Sequence, residues 1–165
     1  MTITEALKKV KKEAAKKVNQ VLADDVFKTV RDEELKQIDD TVYAMEVSGR
    51  YQRRFDEGGL LDPDHIVIDG GAVSDGRLVV SNITPANPFL NGTDSENGLS
   101  TTPLDAKIAK LVEFGEYHPN GYGYDWWKRA KPRPFIENTR KVLKRRKSHV
   151  AAMKKGLKKR GVKVK

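Results

Sequence analysis

Two prolines two residues apart, Pro132 and Pro134, cut this chain more sharply than any other feature. Neither tolerates a helix interior, yet proline suits the first turn of a helix. The stretch LVEFGEYHPNGYGYDWWKRAKPRPFI, residues 111–136, therefore reads as four parts in order. They are an apolar strand at Leu111–Gly115, an aromatic loop, a rigid elbow at Pro132-Arg133-Pro134-Phe135, and a helix. Tyr117, Tyr122, Tyr124, Trp126 and Trp127 crowd into the loop, whereas aromatics are sparse elsewhere. Aromatic loops on a rigid scaffold serve as contact surfaces. A small satellite core under the loop explains the same residues equally well.

Charge divides the chain at the same place. From Asn138 to Lys165 lie 13 of the 32 Lys and Arg residues and no Asp or Glu. The remainder holds 19 basic and 23 acidic residues, so a slightly acidic body carries a strongly basic end. Such an end suits an anionic partner, either nucleic acid or an acidic protein face. A solvated helix face gives the same pattern. The 165 residues suffice for one domain with arms and a modest core. Cysteine is absent, which excludes disulfides and thiolate metal sites. No apolar run approaches the ~20 residues of a membrane span. The first residues lack the apolar region of a secretory signal, which points to synthesis in the cytosol.

Residues Thr2 to about Leu22 carry a helical pattern. Thr2 and Glu5 have capping-box spacing. Ile3, Ala6, Leu7, Val10, Ala14, Val18, Val21 and Leu22 recur at steps of three and four, with Lys8, Lys9, Lys12 and Lys16 opposite. The stripe needs a cover, which its own domain, a neighbouring subunit or a membrane could supply; an Ala- and Val-rich stripe suits a membrane least. Asp24-Asp25 is a candidate break or second cap, after which helix continues to about Asp40, as one helix or two. Thr41–Val47 has β-favouring residues and reads as a strand or extended arm. Gly58-Gly59 demands a turn, without the Gly-Lys-Ser/Thr of a phosphate loop, and Leu60-Leu61 re-enters the core. His65–Asp69 and Arg77–Ile83 are β-branched runs joined by Gly-Gly and Asp-Gly turn signals, hence a hairpin or meander. Thr84–Thr102 is a long irregular loop, followed by a short element at Ala106–Val112. Beyond Pro134 one basic helix is expected, with Gly156 and Gly161 as breakers and a frayed end.

No catalytic constellation emerges, so an enzyme is not expected, and no pattern implies a cofactor or metal. His65, His118 and His149 lack metal-ligand spacing. Asp62, Asp64 and Asp69 resemble a cation loop weakly, but the glycine and glutamate an EF-hand needs are replaced by Val67 and Val73; a turn explains them better.

The order of segments resembles the tail-completion, or head–tail joining, proteins of long-tailed bacteriophages. Three patches carry the resemblance: Val42-Tyr43 with Tyr51-Gln52-Arg53-Arg54 and Gly58-Gly59-Leu60-Leu61-Asp62; Ile108–Gly115, ending in Val112-Glu113-Phe114-Gly115; and Arg133-Pro134-Phe135 before a helix. The loop 84–102 and the basic end are departures from that pattern. The resemblance implies an α+β fold, with an N-terminal amphipathic helix (residues 1–40), a small, mostly antiparallel sheet with long loops (41–136) and a basic C-terminal helix (137–165). It implies a structural virion protein forming a ring, commonly a hexamer, at the phage neck. Its partners would be further copies of itself, the connector or stopper on one side and the tail terminator or tube on the other. DNA would pass through without sequence-specific binding, and no membrane is involved. Interface candidates are Tyr122, Tyr124, Trp126, Trp127, Pro132, Arg133, Pro134, Phe135, Arg140, Lys144, Arg145, Arg146 and Lys147. The other reading is a nucleic-acid-binding protein that tracks phosphate with its basic helix.

Overall fold

The computed structural model describes residues 2–44, 58–71, 73–84, 108–114 and 132–164. The class is α+β and mostly helical. Helices are α1 (Ile3–Val21), α2 (Phe27–Ile38), α3 (Ile108–Phe114), α4 (Phe135–Arg146) and α5 (Ser148–Lys159); strands are β1 (Ile66–Ile68) and β2 (Val80–Asn82). By internal contacts the chain groups into two compact units. One comprises residues 1–33, 67–81 and 140–165; the other comprises 34–66 and 82–139.

The start of α1 follows from two residues. Glu5 N donates to Thr2 Oγ1 at 3.3 Å, and Thr2 N donates to Glu5 Oε2 at 2.7 Å, closing the expected capping box. Asp24-Asp25 do not break the helix. They sit in a wider π turn, Leu22–Val26, that leads directly into α2. A second π turn, Asp39–Tyr43, ends this helical run. Thr41–Tyr43 are therefore helical, not the expected strand. The reason lies in packing: Val42 falls four residues after Ile38, and both are buried on one helical face. That face outweighs the β preference of Thr, Val and Tyr.

In the first unit, α5 packs on α1 and on the π turn that follows it. Val21 is fully buried and Val26 nearly so. Gly156 lies inside α5 and is buried, so it is not the breaker expected from sequence. A Cβ built there would fall 2.5 Å from Val21 Cγ1 and 2.6 Å from Asp25 Oδ2. Only a residue without a side chain lets the two helices approach this closely. The true end of α5 is at Gly161, with φ +73°. Val162 N donates to the Leu157 carbonyl and Gly161 N to the Lys158 carbonyl, each at 3.0 Å. This is a Schellman closure, so the helix end is ordered.

The single basic helix expected after Pro134 is two helices. Lys147 separates them in the left-handed conformation, φ 54°. Its N–H still donates to the Leu143 carbonyl at 2.8 Å, completing α4. Its own carbonyl accepts from Val150 N and Ala151 N, opening α5.

β1 and β2 form a two-stranded antiparallel hairpin. Asp69 N donates to the Val79 carbonyl, and Ile83 N to the His65 carbonyl, which fixes the register. Within the connection, Asp75 and Gly76 both have positive φ, and Arg77 N donates to the Ser74 carbonyl at 2.8 Å. That is the type I′ geometry announced by the Asp-Gly pair. Gly76 N donates in turn to Asn19 Oδ1 of α1 at 3.0 Å.

In the second unit, Ile38, Val42, Leu60, Ile66, Ala109 and Phe135 form the apolar interior. Leu60 thus enters the core as expected. Residues Val112–Phe114, expected as a strand end, belong to α3. Ala109 and Glu113 are both buried at a spacing of four, which suits one face of a helix.

The Gly156 contact is directly testable. Gly→Ala in an ordinary helix interior gains ~1 kcal/mol. Here the overpacked methyl should reverse the sign, and Gly156→Ala should cost roughly 1–3 kcal/mol in urea denaturation.

Candidate functional site

Two polar centres stand out, one in each unit. In the first unit it is a charge cluster where α5 meets the π turn after α1. Arg160 directs Nη1 to Asp25 Oδ2 at 2.8 Å and Nη2 to Asp24 Oδ2 at 2.6 Å. Nη1 also donates to the Gly156 carbonyl at 3.2 Å. Lys159 lies 3.6 Å from Asp25 Oδ1. The π turn places the two successive aspartates within reach of one guanidinium. Lys17 Nζ donates to the Arg160 carbonyl at 3.0 Å, adding a cation at the helix C-terminus where the backbone dipole favours one. The Arg160 hydrogen bond, helped by Lys159, holds the Asp25 carboxyl below its ordinary range. Its stabilising contribution is therefore present above the unfolded carboxylate pKa and lost as pH falls through the lower folded value. Farther along, Arg146 Nη1 of α4 lies 3.7 Å from Glu33 Oε2. Part of the basic end is thus neutralised within its own unit.

In the second unit the centre is buried. Asn82 Oδ1 accepts from Thr84 N at 3.1 Å and from the Thr84 hydroxyl at 2.6 Å, an Asx turn closing β2. Asn82 Nδ2 donates to Glu34 Oε1 at 3.4 Å. His65 Nδ1–H donates to the Gly59 carbonyl at 3.2 Å. Glu113 reaches from α3 to the start of α4, accepting from Ile136 N at 2.8 Å and Glu137 N at 3.0 Å. A carboxylate there satisfies two orphan amides and meets the positive end of the helix dipole. Arg133 N donates to the Val112 carbonyl at 3.0 Å and holds the elbow to the same helix.

Glu34 and Glu113 are both buried acids. Burial, partly offset by the Asn82 bond and reinforced by the charge of Glu113, pushes the Glu34 carboxyl up. Asp62 behaves oppositely. Its Oδ1 accepts from Asp64 N and its Oδ2 from Gly58 N, each at 3.0 Å, and these backbone bonds hold its carboxyl down. With Pro63 after it, Asp62 caps a 3₁₀ turn, the role expected of this acidic stretch. Among the described residues no group of three His, Asp or Glu could hold a metal ion. No helix among them is long and apolar enough to cross a membrane.

The expected interface residues divide into three groups. Tyr122, Tyr124, Trp126 and Trp127 lie outside the described residues. Pro132 and Pro134 are exposed and Arg133 half-buried at the elbow, while Arg140, Lys144, Arg145, Arg146 and Lys147 are exposed along α4 and its end. Phe135 departs from expectation: it is fully buried. As the first residue of α4 it turns into the core beneath the elbow, while its carbonyl accepts from the buried Thr139 hydroxyl at 2.8 Å. Sequence reasoning missed Glu34, Glu113 and Arg160. Helical spacing of Ala109 and Glu113 hints at the second; no local signal announces the other two.

The buried acid pair makes a signed prediction. A carboxyl whose folded pKa is raised destabilises the fold as pH climbs from its unfolded value through the folded one. Glu34→Gln removes that charge and keeps an acceptor for Asn82. Its melting temperature should exceed that of the wild type at pH 7, and the gap should close near pH 4; thermal melts across this range measure it.

A family model described as YomN matches residues 6–159. No curated protein and no solved structure matches the chain. Since the match spans both units and nearly every residue, the chain belongs to the YomN family, a family with a phage-derived name.

Proposed function

We propose that this protein is a structural component of the bacteriophage virion, acting in tail completion or head–tail joining as a ring at the neck. The role is architectural rather than catalytic. The observation that carries it is the membership of nearly the whole chain in a family of phage-derived name. The order of Gly58-Gly59-Leu60-Leu61-Asp62, Val112-Glu113-Phe114-Gly115 and Arg133-Pro134-Phe135 supports the finer assignment through its similarity to neck proteins.

The geometry is consistent with a joining part. Two of the buried polar side chains are committed to local structure, Asn82 to the end of β2 and Glu113 to the start of α4. What remains outward is surface for contact. On α4 that surface is basic, with Lys144, Arg145 and Lys147 exposed. Acidic faces of adjacent neck proteins fit it, and so does DNA phosphate. A neighbouring protein is the better fit, since a channel through which DNA slides should not grip it with a dense ring of cations.

Removing the chain after Asn138 is a poor test, because it strips α5 from α1 and uncovers Val21. Deletion of the gene from a phage that encodes it, with complementation in trans, is cleaner. The expected outcome is DNA-filled heads and finished tails that do not join, rescued by the wild-type chain. The variant K144E/R145E/K147E should fold normally and rescue at least about tenfold less well, the effect of losing ~1.4 kcal/mol of contact. Infectious, joined particles in the complete absence of the protein would refute the reading.

A further inference from the structure

The fold gathers positive charge into its first unit. Residues 1–33, 67–81 and 140–165 hold 22 Lys and Arg against 8 Asp and Glu, whereas the other unit holds 10 against 15. The basic end is therefore no appendage on an acidic body; with α1 it belongs to one strongly basic unit. Five of the eight acids there are already committed. Glu5 closes the capping box, Asp24 and Asp25 hold Arg160, Asp32 lies 3.8 Å from Arg31, and Glu33 lies 3.7 Å from Arg146.

On α1 the remaining cations form a face. Lys8, Lys9, Lys12 and Lys16 share the side opposite the edge that carries Val21 to α5. All four are exposed, with no acidic partner among the described residues, and they span about 12 Å of helix. Lys8, Lys12 and Lys16 stand four apart, and Lys9 stands three from Lys12. Each thus has a like charge on the next turn, which destabilises a helix. Glu5 is held in the N-cap, and Glu13 stands at the margin of the face. At its far end the face meets the hairpin. There Gly76 N donates to Asn19 Oδ1, and the exposed Asp75 and Arg77 contribute one charge of each sign. A ladder of self-repelling lysines gains from an anion laid along it.

The make-up of the face selects the anion. Protein interfaces have an apolar centre and few lysines. The outer side of α5 offers that mixture, with Val150 40% exposed and Ala151 exposed near Lys154 and Lys158. The lysine face of α1 has only Ala15 among its polar residues. Hydrated lysines without an apolar centre suit phosphate. Single-stranded nucleic acid asks for aromatic side chains on which bases stack. Among Phe, Tyr and Trp this unit holds Phe27 alone, and Arg31 lies over its ring at 5.7 Å. A duplex, which presents phosphates and hides its base faces, fits better. We propose that Lys8, Lys9, Lys12 and Lys16 contact the phosphate backbone of double-stranded DNA without regard to sequence. Contacts of this kind let DNA slide, and they leave α4 to a neighbouring protein. The proposal rests on the neck reading only for the choice of DNA over RNA.

The test is fluorescence anisotropy of the full-length protein with a labelled DNA duplex of about two helical turns. Saturable binding is expected, equal for two unrelated sequences. It should weaken with salt at a log–log slope of about 3 or more, roughly 0.9 per phosphate contacted. The variant K8E/K12E should bind at least about tenfold more weakly at ~100 mM salt and flatten that slope. K154E/K158E makes the same change in net charge on the side of α5 opposite Gly156; it should weaken binding less than about threefold, because distant charges are screened. K8Q/K12Q should weaken binding in the same direction as K8E/K12E. All these positions are exposed, so the melting temperatures should stay unchanged. Absence of saturable binding at low salt overturns the proposal. Equal losses in K8E/K12E and K154E/K158E overturn it too, since net charge rather than this face would then explain binding. So does tighter binding of a single strand, of an RNA duplex, of polyglutamate or of anionic phospholipid vesicles than of the DNA duplex. None of these outcomes bears on whether deletion of the gene blocks head–tail joining.

Discussion

The contact between Gly156 and Val21 is the constraint on which the first unit depends. It brings a helix near the end of the chain against a helix at its beginning with no side chain between them. Once the two backbones are that close, Asp24, Asp25 and Arg160 fall within hydrogen-bond distance, and Lys17 reaches the Arg160 carbonyl at the end of α5. The order of causes matters here. Pairs as exposed as Asp24 with Arg160 contribute little on their own, commonly below ~1 kcal/mol. Their value comes from being held together by an apolar contact that already fixes the geometry. The charges then set the register of α5 on α1, while Val21 and Val26 supply the burial.

The second unit is organised by a different device. Its interior contains more committed polarity than a small apolar cluster ordinarily tolerates: Glu34, Asn82, Thr84, Glu113 and Thr139 are all buried. All five have partners. Glu113 carries the most structural consequence, because it joins α3 to the start of α4 through two backbone amides. A cap of this kind contributes on the order of 1 kcal/mol, and it places Phe135 in the core. Among the described residues Glu34 is held by one long hydrogen bond, from Asn82, beside another acid. A buried acid retained at such a cost in stability marks a place where the fold is not optimised for stability alone.

Local features were legible in the sequence, and long-range ones were not. The Thr2–Glu5 capping box and the Asp75-Gly76 turn depend on residues within four positions of each other, and both formed as read. The antiparallel hairpin followed from its β-branched runs and turn residues. Gly156 was misread because a glycine in a helix carries two opposite meanings, breaker or close-packing point, and only the partner helix decides between them. Phe135 was misread for the same reason: beside Pro132 and Pro134 it resembles an exposed elbow residue, yet Glu113, bonded to Ile136 from 23 positions away, directs the helix that buries it. Lys147 in the left-handed region has no sequence signal, since nothing in its side chain favours that conformation. Of the expected interface, the aromatic residues 122–127 lie outside the described residues, while Arg140 and residues 144–147 are exposed.

Two helical ends are thus locked together in the first unit, while the first half of α1 and much of α4 stay exposed. Hydrogen exchange on the isolated full-length protein tests this most directly. Amides of residues 18–26 and 150–160 should share one high level of protection and lose it together as denaturant rises, while amides of residues 6–14 exchange far faster. Uniform protection along all of α1, or loss of protection in α5 well before residues 18–26, would contradict it.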